Sequence, residues 1–153
     1  MKLADVNAIT AAVASWAIDR NDIRAMAMLG SWVRGNPRPD SDLDLLLLTD
    51  LAPDYQRSET WLTEIDFQNA GFRLQSNATV VYGVVWSQHV HLLPSAEIEL
   101  TFARCSWAST EPVDVGTRLI VKDAFQIVSD RDGILAKLVG AVTGSRCGCL
   151  PRI

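Results

Sequence analysis

The segment Asp42-Leu43-Asp44-Leu45-Leu46-Leu47-Leu48-Thr49 restricts the fold more than any other stretch of the chain. Successive side chains of a strand point to opposite faces. Asp42, Asp44, Leu46 and Leu48 therefore share one face, and Leu43, Leu45 and Leu47 share the other. Past Asp44 both faces are apolar, so this strand needs a layer of structure on each side and belongs in the middle of a sheet. Only its first half carries charge. Two acids thus stand at the rim of an otherwise buried strand.

The rest of the chain supplies the cover. Apolar residues at Val6, Ile9, Val13, Trp16 and Ala17 give one face of a helix over about 4–20, which Asn21-Asp22 ends. Ile23 to Leu29 reads as a short buried strand stopped by Gly30-Ser31, with a single helical turn over 32–35. Two prolines in Asn36-Pro37-Arg38-Pro39-Asp40-Ser41 require a loop. A helix is expected over 52–70, entered at Pro53 and closed by Gly71. Strands are expected over 79–85, 90–93 and 97–102, with a turn at Pro94-Ser95-Ala96. Residues 107–116 read as irregular, and 118–128 as a strand pair or a turn and a strand. Ser129 to Gly133 opens a last helix, with Ile134, Leu135, Leu138, Val139 and Val142 on its inner face. The expectation is one α+β domain over residues 1–143, a short mixed sheet flanked by helices, followed by a frayed tail over 144–153.

Composition narrows the function. A formal net charge of −4 argues against a long nucleic acid as partner, because such affinity comes from many Lys and Arg contacts to phosphates. The charge is no obstacle to a single nucleotide carried with its own divalent cation. The three cysteines, Cys105, Cys147 and Cys149, do not make a disulfide framework. They also lack nearby histidines to complete a zinc site. The N-terminus reads as lacking a signal peptide, and no apolar run approaches the ~20 residues of a membrane span. A cytoplasmic protein without a membrane partner is expected.

Asp42 and Asp44 project side by side, and their mutual repulsion is relieved by a cation between them. A hard divalent ion such as Mg²⁺ takes one or two carboxylates together with phosphate oxygens. A bare strand end exposing two acids to water is the plain alternative, and what precedes the pair favours the ion. Gly30-Ser31 joins a strand to a helical turn, so backbone N–H groups and a hydroxyl face a point suited to phosphate oxygens. Glycine leaves that approach open. Arg34, one turn on, either meets a polyphosphate or pairs with Asp40 or Asp42. Ser41 either donates to phosphate or caps its turn. Lesser candidates are His89 and His91, alternating on one strand, Trp32 as a flank for a nucleotide, and Asp114 as a turn acid. Trp86 and Trp107 read as core.

Gly30-Ser31-x-x-Arg34-Gly35, ten residues between Ser31 and Asp42, and then Ser41-Asp42-Leu43-Asp44-Leu45 resemble the signature of the minimal nucleotidyltransferases of the polymerase β superfamily. That group includes aminoglycoside nucleotidyltransferases and small nucleotidyltransferase antitoxins. The resemblance is strongest over about 27–102. It implies a polymerase β-like fold and an ATP-binding, magnesium-dependent transferase in which Asp42 and Asp44 bind Mg²⁺ and Gly30 and Ser31 hold the triphosphate. It also implies a third carboxylate from a neighbouring strand. Glu97 and Glu99 both qualify, since they share a face by the two-residue period; Glu99, deeper in its strand, is favoured. The expected activity moves a nucleoside monophosphate, AMP from ATP, onto a hydroxyl of a small molecule or a protein. The chain has little beyond a catalytic core, so acceptor binding is expected to involve a second copy or a partner protein. An antitoxin-like module that neutralises a partner, with or without adenylylating it, is the second reading.

Overall fold

In the computed structural model, which describes residues 1–144, β2 (Leu43–Thr49) lies inside a six-stranded sheet. Its neighbours are β1 (Ile23–Leu29), antiparallel, and β5 (Ala96–Ala103), parallel. The sheet runs on through β4 (Val85–Leu93) to β3 (Arg73–Tyr82) on one side and ends at β6 (Phe125–Asp130) on the other. β2–β5 is the parallel pair of an otherwise antiparallel ladder, so the sheet is mixed and the class is α+β.

The two faces of β2 enter two separate cores, as its alternation requires. Leu43, Leu45 and Leu47 pack with α1 (Leu3–Ile18), whose inward residues Val6, Ile9, Val13, Trp16 and Ala17 are buried. Leu46 and Leu48 pack on the opposite face with Val121 of α4 (Val115–Asp123) and Leu135 and Leu138 of α5 (Ile134–Thr143). At the far end of β2 the hydroxyls of buried Thr49 and of Tyr55 both donate to Asp22, at 2.9 and 2.7 Å, and tie the strand to its surroundings. α4 and α5 bury Leu46 and Leu48 on the opposite face, and Asp44, nearer the start of the strand, lines a cleft instead.

Several expectations are corrected. Residues 52–70 form the six-residue α3 (Ala52–Arg57), then 3₁₀ turns at Thr60–Glu64 and Gln68–Ala70. The Trp61 indole donates to the Tyr55 carbonyl at 2.9 Å and takes an acceptor that a continuing helix would use. Trp61 thereby turns into a cluster of rings with Trp16, Tyr55, Trp86 and Phe102. β3 begins at Arg73 rather than at residue 79, and Val85 belongs to β4, because Gly83 (φ 65°) and Val84 make the hairpin turn between Tyr82 and Val85. Over 107–128, a 3₁₀ turn (Cys105–Ala108) leads to α4 and then β6, which excludes the strand pair and comes nearer to the alternative of a turn and a strand, the turn being a full helix. Asp114 is its N-cap, accepting from the Thr117 amide at 3.1 Å. The tail expected over 144–153 lies outside the described residues beyond Gly144.

Candidate functional site

Gly30, where β1 passes into α2 (Ser31–Arg34), stands against the Asp44 carboxylate. Leu29 pairs with Asp44 across the β1–β2 ladder, which brings the start of α2 against that carboxylate. A Cβ at residue 30 would lie 2.5 Å from Asp44 Oδ2, and the backbone there has a φ of +83°. Glycine is required on both counts. The amides of Val33 and Arg34 bond the Gly30 carbonyl, at 3.0 and 3.1 Å. This leaves the Ser31 and Trp32 amides unpaired within the turn. Gly35, at φ +80°, closes α2 with its amide on the Ser31 carbonyl at 3.0 Å.

Asp42 stands immediately before β2, and Asp44 is its second residue. The parallel register then separates the two glutamates that sequence spacing left equivalent. Glu99 pairs directly with Asp44, and Ile98 with Leu43. Glu99 lines the same cleft as Gly30, Ser31, Arg34, Ser41, Asp42 and Asp44, with a volume of about 530 Å³. Glu97, half-exposed, instead meets His91 Nδ1 at 3.0 Å and lines a smaller neighbouring hollow with Asp42 and the two histidines. His89 faces Glu99, with Nε2 at 3.6 Å from Oε2, and the Tyr82 hydroxyl stands 3.4 Å from the same His89 nitrogen.

Burial first, and then the neighbouring acids, raise the proton affinity of Asp42 and Asp44. Burial pushes Asp44 up to about 7, with Glu99 and Asp42 adding to the rise and Arg34 opposing it. Asp42 is raised by its own burial and then by Glu97 and Glu99, against the pull of His89. A cluster of hard oxygen donors that resist sharing one charge state is the environment into which a divalent cation fits. Among the described residues, no three Asp, Glu, His or Cys side chains are arranged to hold a metal ion by themselves.

Arg34 has an ion-pair partner that the sequence did not suggest, and Ser41 takes one of its two expected roles. The guanidinium of Arg34 pairs with Asp123 at the end of α4, rather than with Asp40 or Asp42, while still lining the cleft. Ser41 caps its turn: its hydroxyl oxygen accepts from the Arg38 amide at 2.8 Å, and its own amide donates to the Arg38 carbonyl at 2.9 Å. The hydroxyl proton of Ser41 stays free to donate into the cleft. Arg38 and Asn36 also line it and were not singled out from sequence; the signal was Arg38 between two prolines, whose fixed φ restricts the loop just before the acids. Trp86 is core, its indole donating to the Ala52 carbonyl at 2.8 Å. Trp107 stacks on Phe125 at the second core, and Trp32 packs at the edge of the first.

No protein-family model matches the chain, and no curated protein matches it. Among the described residues no helix is long and apolar enough to cross a membrane.

Proposed function

We propose that this chain is a magnesium-dependent nucleotidyltransferase of the polymerase β type, moving AMP from ATP onto an acceptor hydroxyl. One observation carries the reading: the Gly30 backbone and the Asp44 carboxylate touch, in a cleft that also holds Ser31, Arg34, Asp42 and Glu99. A phosphate cradle and a set of cation-binding acids therefore share one wall. Their donors fit Mg²⁺, which takes one or two protein carboxylates and leaves its other positions to phosphates and water. When bound, the ion neutralises phosphate charge and holds the triphosphate against the acids.

The chain's own residues do the rest. The Ser31 hydroxyl and the unpaired amides of α2 bind the outer phosphates, and Gly30 leaves them room to approach. Arg34 and Arg38 supply the positive charge that offsets the acids along the cleft. Glu99, the third carboxylate, accepts the proton of the acceptor hydroxyl. The acceptor oxygen then bonds to the α-phosphorus, the bond from that phosphorus to the bridging oxygen breaks, and pyrophosphate leaves. Catalysis of this kind is positioning and charge compensation more than covalent chemistry. The acceptor is a small molecule or a protein, bound with the help of a second copy or of the partner itself.

The test is binding of Mg·ATP by calorimetry, followed by incubation with ATP labelled at the α-phosphate and candidate acceptors. Replacing both acids, Asp42→Asn with Asp44→Asn, should abolish Mg-dependent ATP binding while the fold persists. A double variant that binds Mg·ATP like the parent would show that the site lies elsewhere.

A further inference from the structure

Asp123 is placed where elementary electrostatics disfavours it. It is the last residue of α4, at the negative end of the helix dipole, where a carboxylate is unfavourable. It also shares a hollow of about 290 Å³ with Asp44 and Glu99, two further acids. Its compensation is Arg34, which reaches it from α2. Resting on the nucleotide reading above, the geometry points to Asp123 as a positioning residue that holds the Arg34 guanidinium clear of Asp44 and over the phosphate cleft.

The need for such a holder follows from the surroundings of Arg34. The side chain leaves a helix of a single turn, followed directly by Gly35 and the proline loop, and its own element fixes it weakly. Arg34 already feels Asp44, whose proton affinity its charge lowers. Released from α4, the guanidinium would settle on the carboxylates of Asp44 and Asp42 and occupy the place of the cation. Asp123 engages a single nitrogen of Arg34, Nη1, so the remaining donors of the fork stay free for phosphate oxygens. The arrangement separates two positive groups that would compete for the same acids: the arginine on one side, the divalent ion on the other.

A double-mutant cycle on the full chain tests this, with Mg·ATP affinity measured by calorimetry and urea unfolding run on every variant. Asp123→Asn should weaken Mg·ATP binding about threefold to fivefold, the size of a partly exposed ion pair, and Asp123→Glu should restore it to within about twofold of the parent. In an Arg34→Gln background, Asp123→Asn should change the affinity no further, which a merely structural role for Asp123 would not produce. Affinity unchanged or tightened by Asp123→Asn, or an equal loss in both backgrounds, overturns the assignment while leaving the nucleotide reading in place. A parent chain that binds no Mg·ATP overturns both.

Discussion

Asp44 titrates in a way that makes the cleft visible in a stability measurement. Burial, helped by Glu99 and Asp42, lifts its carboxyl from 3.8 to about 7. Without metal, the folded protein therefore holds a proton at Asp44 that the unfolded chain has released. The stability this lends is fully present below pH ~4 and is lost as pH rises through about 7. At ~1.4 kcal/mol for each pH unit, the rise corresponds to ~4 kcal/mol as an upper limit. Solvent screening of this partly open site reduces it to about 2 kcal/mol. Asp44→Asn removes the charge and keeps the shape. In EDTA, the variant should match the parent near pH 4 and exceed it by about 2 kcal/mol at pH 8, read from urea unfolding at a series of pH values. A difference between variant and parent that stays constant from pH 4 to pH 8 would refute the picture of a crowded, half-buried acid cluster. So would a variant that is less stable at pH 8.

Two further outcomes follow from the same geometry. Gly30→Ala places a methyl 2.5 Å from Asp44 Oδ2 on a backbone of positive φ, so it should cost about 1–3 kcal/mol in denaturant melts and lower Mg·ATP affinity with it. Restored affinity in a Gly30→Ala, Asp44→Ala protein would contradict this, because the acid itself is needed. Asp114→Ala removes the α4 cap on the Thr117 amide and should cost about 1 kcal/mol, measured by urea unfolding at neutral pH. An unchanged midpoint would mean that the Asp114 hydrogen bond adds nothing.

The parts of the fold legible in the sequence are those whose environment is written in their own residues. β2 is apolar on both faces beyond Asp44, and it lies between β5 and β1 with a core on each side. α1 declares itself by an inner stripe that is buried as its spacing requires. The first half of β3 carries no such mark. Arg73, Gln75 and Ser76 are exposed at an edge, and their extended form is imposed by the β4 ladder. α4 was hidden for a related reason: Val115 and Leu119 face solvent while Thr117 and Val121 are buried, which inverts the usual pattern. The break after α3 depends on the Trp61 indole reaching the Tyr55 carbonyl, a contact made as Trp61 packs into a cluster of rings from several elements.

At the cleft, the division between chain and fold is sharpest. Sequence alone determined that Asp42 and Asp44 point the same way and that Gly30-Ser31 sits at the end of a strand, because alternation and glycine's freedom are properties of one short segment. The same alternation makes Glu97 and Glu99 equal, and only the deeper position of Glu99 in its strand favoured it. The parallel register of β2 against β5 sets Glu99 beside Asp44, leaves Glu97 to His91, and α4 supplies Asp123 to Arg34. Such pairings belong to two strands or two helices at once. They come into being only when the long-range hydrogen bonds and buried layers that align those elements have formed.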